Sequence, residues 1–90
     1  MAKSFRVAVA TAGTAVVMGV DTVPHRYWVR AEADNTGSMW IGNDGVGDVS
    51  ATTGLCIAKT DPPIVMLLQE NVTWIDAGTS TDGLTFMRAD

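Results

Sequence analysis

The sequence predicts an all-β chain: an antiparallel β-sandwich or jelly-roll-like barrel of about seven or eight short strands. It forms a single domain over residues 1–90, with residues 1–4 as a short arm. Three observations carry this expectation. Apolar and polar residues alternate with period two, Phe5, Val7 and Val9 against Arg6, Ala8 and Ala10, and Tyr27, Val29 and Ala31 against Trp28, Arg30 and Glu32. Turn-forming clusters rich in Gly, Pro, Asn, Asp and Thr punctuate the chain at short intervals. Nowhere do apolar residues recur at helical spacing over three turns between helix start and stop signals.

Taken in order, Phe5 to Val9 and, after Ala12-Gly13, the β-branched run from Thr14 to Met18 read as an opening hairpin. Asp21 to Pro24 forms the next connection, because Pro24 favours an extended approach. In the strand that follows, Tyr27, Val29 and Ala31 make the core face and Trp28, Arg30 and Glu32 the opposite one. Asn35-Thr36-Gly37 then supplies residues that tolerate positive φ and reads as the turn of a second hairpin into Met39-Trp40-Ile41. There Met39 and Ile41 share one face and Trp40 occupies the other. Gly42, Gly45 and Gly47 bend the chain afterwards, and Gly37 and Gly42 are expected in backbone shapes closed to a β-branched residue. Leu55 to Ala58 makes one short strand before Thr60-Asp61-Pro62-Pro63 forces a turn. Ile64 to Gln69 is a near-continuous apolar run, the pattern of a strand buried on both faces or covered by a neighbour. Val72 to Asp76, the turn cluster from Gly78 to Gly83, and Leu84 to Arg88 complete the count.

Composition narrows the function. Ninety residues bury only about 60 to 65% of the unfolded surface, so a partner can contribute much of the stability. Hydrophobic residues are 47% and charged residues 18%, a globular and not a disordered balance. Six Lys and Arg against ten acidic residues give a net charge of −4. Lys3, Arg6, Arg26, Arg30, Lys59 and Arg88 are scattered, which speaks against nucleic acid. Cys56 is the only cysteine, so an intrachain disulfide and a thiolate-rich zinc site are excluded. Lys3, Arg6 and the run from Val7 to Val20 imitate a secretory signal, but the run lacks leucine, is broken by Thr11, Gly13 and Thr14, and has no convincing cleavage site. It also falls short of the ~20 apolar residues that span a bilayer.

Candidate chemistry is sparse. His25, the one histidine, follows Pro24 without an obvious neighbouring ligand, and reads as a loop-edge residue before it reads as a base. Ser38, Ser50 and Ser80 lie in turn-rich stretches without a G-x-S-x-G pattern. Asp44 and Asp48 flank Gly45-Val46-Gly47 and invite a calcium reading, but the spacing matches no calcium loop and no bidentate Glu follows; no metal or cofactor is expected. Asn71-Val72-Thr73 fits a glycosylation acceptor only in a eukaryotic secretory product. Trp28, Trp40 and Trp74 remain. Across the expected hairpin, Trp28 and Trp40 form an exposed aromatic patch beside Arg26 and Arg30, the residue types that anchor protein interfaces. Filling a second layer of the sandwich is the competing use of both tryptophans, and Trp74, sharing a face with Val72, reads as core. A sugar-stacking platform would draw on Glu32 and Asn43.

At these residues the chain resembles a group of small tailed-phage virion proteins of the head decoration, or cement, type. Those proteins carry an alanine, then N-T-G, then a hydrophobic-aromatic-hydrophobic-Gly run, a glycine- and serine-rich loop ending in T-G, and a further strand. The corresponding residues here are Ala33, Asn35, Thr36, Gly37, Met39, Trp40, Ile41 and Gly42, then Val46, Val49, Thr53 and Gly54. The preceding strand and the terminal D-G-hydrophobic-T segment, Asp82 to Phe86, are similar too, so the likeness covers about two-thirds of the chain. The chain departs from the group's Leu-x-Pro-Gly turn, having Cys56 to Pro63 at that corner. The resemblance implies a structural protein without catalytic residues, made in the host cytoplasm and placed on the outer capsid surface. It implies a homo-oligomer, a trimer, that clamps neighbouring copies of the major capsid protein, with no nucleic acid or membrane as partner. The alternatives are a tail or surface binding module that recognises a glycan or receptor through Trp28 and Trp40 and, third, a small hydrolase built on His25.

Overall fold

In the computed structural model, which describes residues 3–43, 49–50 and 54–89, the alternating segments become eight strands. They are β1 (Ser4–Ala8), β2 (Val16–Val17), β3 (His25–Ala31), β4 (Met39–Gly42), β5 (Leu55–Ile57), β6 (Ile64–Leu68), β7 (Trp74–Ala77) and β8 (Gly83–Arg88). A short 3-10 turn, Glu70–Val72, precedes β7. The strands form two four-stranded antiparallel sheets, sheet I in the order β1-β8-β3-β6 and sheet II in the order β2-β7-β4-β5. The all-β, two-sheet expectation therefore holds.

Chain order explains sheet order. β1 pairs with β8, β2 with β7, β3 with β6 and β4 with β5, so the two halves of the chain run side by side as one long hairpin that closes between β4 and β5. Rolling up that ribbon brings β3 against β8 and β4 against β7, which is jelly-roll connectivity. Inward-facing residues of both sheets meet in one core. Tyr27, Val29, Ala31, Leu84 and Phe86 come from sheet I, and Met39, Ile41, Ile57, Ile75 and Ala77 from sheet II. Phe5 stacks on Phe86 at 5.4 Å between ring centroids, and Tyr27 meets Phe86 edge-on at 6.3 Å.

Several expectations change. The opening hairpin does not form: β1 belongs to sheet I and β2 to sheet II, and the second strand shrinks to Val16–Val17. The segment around Asn35-Thr36-Gly37 is not a hairpin turn either, because it carries the chain from β3 in sheet I to β4 in sheet II. Turn residues reverse the chain equally well within a sheet and between sheets, so local chemistry does not separate the two. β6 is not buried on both faces. It is an edge strand of sheet I, and Ile64, Val65 and Leu67 are exposed. Residues 3 and 4 are not a free arm: Ser4 lies in β1, and the Lys3 carbonyl accepts the Arg88 N–H.

The corner at Asn35 is built by the far end of the chain. The Asn35 side-chain amide donates to the Gly83 carbonyl and accepts from the Gly83 N–H, both at 2.9 Å, imitating a strand neighbour. The Asp82 carboxylate accepts the N–H of Thr36 at 3.0 Å and of Gly37 at 2.7 Å. The N-T-G segment and the terminal D-G segment thus lock each other. Gly83 is required here sterically, since a Cβ would stand 2.8 Å from the Val7 carbonyl oxygen. Gly37 and Gly42 are not in the left-handed region. Among the described glycines that backbone belongs to Gly13 and to Gly54, whose φ is +119° and whose added Cβ would lie 3.0 Å from the Ile41 carbonyl oxygen. Gly45 and Gly47 lie outside the described residues.

Candidate functional site: the outer face of sheet I

Alternation in β3 points Tyr27, Val29 and Ala31 inward and leaves Arg26, Trp28 and Arg30 exposed on the outer face. The register extends this row across the sheet. Trp28 stands beside Met87 of β8 on one side and Val65 of β6 on the other, and Arg26 stands beside Leu67. Met87 is 43% exposed, Trp28 42%, Val65 47% and Leu67 70%. These four form a contiguous apolar strip between two arginines. Neighbouring large apolar side chains left in water make this face the candidate interaction surface.

The charges favour the same face. Arg6 on β1 is held by a forked set of hydrogen bonds to Glu32, so its charge is compensated locally. Arg26 and Arg30 make no ion pair among the described residues. An acidic chain therefore presents on this face two guanidinium groups, without an ion pair among the described residues, around an exposed indole. Beside them lies an open depression of about 370 Å³ lined by Trp28, Arg30, Asp34, Pro63, Thr85 and Met87, among others. It offers an aromatic face together with carboxylate and hydroxyl groups.

Trp40 is not part of this face. It lies on the outer side of sheet II, opposite Cys56 and Asp76, half-buried with its ring over Gly78. Trp74 is not core but shares that outer side, because Ile75 and Ala77 take the inward positions of β7. Of the four predicted interface residues, the fold brings Arg26, Trp28 and Arg30 together and separates Trp40. Glu32 lines the depression, while Asn43 follows β4 in the other sheet. Met87, Val65 and Leu67 were missed. Period two in Leu84-Thr85-Phe86-Met87 is the signal that would have found Met87, whereas the unbroken apolar run of β6 conceals its outward residues.

The remaining polar groups find partners within the fold. Arg88 approaches His25 Nδ1 at 2.9 Å, so that nitrogen accepts, and Nε2 faces the Asp21 carboxylate at 3.5 Å. The Val23 N–H holds the Asp21 carboxyl below the usual carboxylate range. His25 thus joins a strand to a loop. Buried Glu70 accepts from the Tyr27 hydroxyl at 2.7 Å and from Lys3 at 3.2 Å. Burial pushes the Tyr27 hydroxyl well above its ordinary range, and the Glu70 carboxylate adds to it. Asp76, fully buried, accepts from the N–H of Gly13 and of Ala77. Ser80 accepts the Ala12 N–H and Ser38 the Gly78 N–H, the latter through its carbonyl. Asp44 and Asp48 lie outside the described residues, and among the described residues no three His, Cys, Asp or Glu side chains gather as a metal site. Among the described residues no helix is long and apolar enough to cross a membrane. Comparison with protein-family models, characterised proteins and solved structures finds no match.

Proposed function

We propose that this chain is a structural virion protein that decorates a phage capsid from outside, docking on the major capsid protein through the outer face of sheet I as a homo-oligomer. The observation that carries the reading is the Arg26-Trp28-Arg30 row, exposed on an acidic chain, without an ion pair among the described residues, and continued by Met87, Val65 and Leu67. Its complement is an acidic surface with an apolar centre. The resemblance in the N-T-G and D-G segments supplies the setting. Such a protein binds the assembled lattice and not its loose subunits, so mass action stabilises the lattice, and several linked copies convert modest contacts into avidity. It acts without a catalytic residue, a cofactor or a metal.

The test uses particles stripped of this protein. Labelled chain is expected to rebind and to restore heat and osmotic resistance, and Trp28→Ala is expected to weaken rebinding by about 2 kcal/mol, roughly thirtyfold. Stripped particles that keep full resistance and take up no label would overturn the reading. A second reading, glycan or receptor recognition by a tail or surface module, is favoured by the depression beside Trp28, where an indole face lies next to Asp34 and Thr85. A glycan array probed with the wild-type chain and Trp28→Ala separates the two: only glycan recognition gives a signal that the substitution removes.

A further inference from the structure

We infer that the β6 edge is a seam between copies of this chain, where a second copy adds its own β6 antiparallel to the first. Among the described residues β6 is paired to β3 alone, so its other side presents backbone donors and acceptors that no described strand takes up. Natural sheets defend such edges with charges, proline, bulges or very short strands. The five residues Ile64–Leu68 carry neither charge nor proline, Pro62 and Pro63 stand before the first of them, and Ile64, Val65 and Leu67 are exposed. The other edges are defended. β1 carries Arg6, and β2 and β5 are two and three residues long.

Register and charge select a second copy as the occupant. With antiparallel pairing centred on Met66, Ile64 of one copy faces Leu68 of the other and Val65 faces Leu67, so every pair is apolar and the strand is its own complement. Two chains of net charge −4 then meet along a segment where neither is charged. The exposed Arg26 residues of the two copies, each opposite Leu67 on β3, stand one strand back from the seam. At a strand spacing of about 4.8 Å they are on the order of 15 Å apart, well beyond the Debye length of about 8 Å at physiological salt. Pairing merges the two copies of sheet I into one eight-stranded sheet whose outer face carries two Arg-Trp-Arg rows. That doubling serves the docking reading above, and only this consequence rests on it. The geometry is two-fold, where the resemblance implies a threefold.

The experiment is the mass of the purified full chain by sedimentation equilibrium at micromolar concentrations. A dimer, or an assembly of even number, is expected. Leu67→Lys places a charge on the seam and should raise the dissociation constant at least tenfold, and its melting temperature should match that of the wild type at high dilution, where both are monomers, because Leu67 is exposed in the single chain. In a Cys56→Ser background, Met66→Cys should link two copies on mild oxidation, since residue 66 meets its own counterpart. A monomer, a trimer, or a dimer that Leu67→Lys leaves intact would overturn the seam. Particle rebinding is scored separately: a wild-type dimer that fails to rebind removes the docking reading and leaves the seam standing.

Discussion

At the scale of single residues, the corner between the sheets rests on a few buried polar atoms. Removing the Asn35 amide leaves the Gly83 N–H without its acceptor in a buried place, at about 1 to 3 kcal/mol for the unsatisfied group, while the Gly83 carbonyl keeps the Glu32 N–H. Asn35→Ala is therefore expected to lower stability by about 1 to 3 kcal/mol in urea unfolding, a large part of what so small a domain has. A loss under about 0.5 kcal/mol would show that the amide is not needed as a strand mimic. Gly83→Ala should be costly too, because its methyl would meet backbone, Val7, as well as the Glu32 side chain. Gly37→Ala should cost less, since what its Cβ would meet is the Thr79 hydroxyl, at 3.0 Å. Tyr27 gives a pH prediction. Its pKa is raised in the folded state by burial and then by Glu70, so the folded chain keeps the proton when the unfolded chain, titrating near pH 10, has lost it. The stability this contributes is present below about pH 10 and declines as the pH rises above it. Tyr27 is the only tyrosine, so phenolate absorbance reports it alone. Phenolate should appear only together with loss of the β-sheet circular dichroism signal, and a titration near pH 10 with the fold intact would contradict the buried Tyr27–Glu70 pair.

Among the elements, β3 and β4 were the most legible, because period two in Tyr27-Trp28-Val29-Arg30-Ala31 and in Met39-Trp40-Ile41 is set by which side chains a half-buried strand can bury. Which strand pairs with which was not legible. β1 finds β8 and β2 finds β7 across most of the chain, and nothing local at Ala12-Gly13 or Asn35-Gly37 encodes those partners. The candidate face was half legible for the same reason. Arg26, Trp28 and Arg30 share a strand and so share a face, whereas setting Trp40 beside Trp28 required a hairpin the fold does not contain. β6 misled because an apolar run describes a buried strand and an unsatisfied edge equally well. The rolled ribbon also sets local stability. β3 and β8 are each paired on both sides in sheet I, while β2 and β5 are short edges of sheet II. Amide hydrogen exchange should be slowest in Tyr27–Ala31 and Leu84–Phe86 and fastest at Val16–Val17 and Leu55–Ile57. Equal protection at Leu55–Ile57 and in β3 would show a cooperative unit larger than this pairing supports.

For the molecule as a whole, the two sheets have different outer faces. That of sheet II is occupied from within, by the Trp40 ring over Gly78 and the segment around Gly13 over Asp76. That of sheet I is open, with Arg26 and Arg30 on either side of Trp28. If docking uses that face, its affinity has two separable parts. The arginines attract through a field that salt screens over about 8 Å at 0.15 M, while the indole contributes through desolvated contact that salt weakens little. Rebinding of the wild-type chain to stripped particles should therefore weaken as salt rises from 0.05 to about 0.5 M, a range over which the Debye length falls by about threefold. Arg26→Gln with Arg30→Gln should flatten that dependence and slow association, because steering is lost. Trp28→Ala should instead lower affinity by a similar factor at every salt concentration and act mainly on dissociation. Should the double Gln variant keep the wild-type salt dependence, the docking charges lie elsewhere on the chain, and the row on β3 is not the contact.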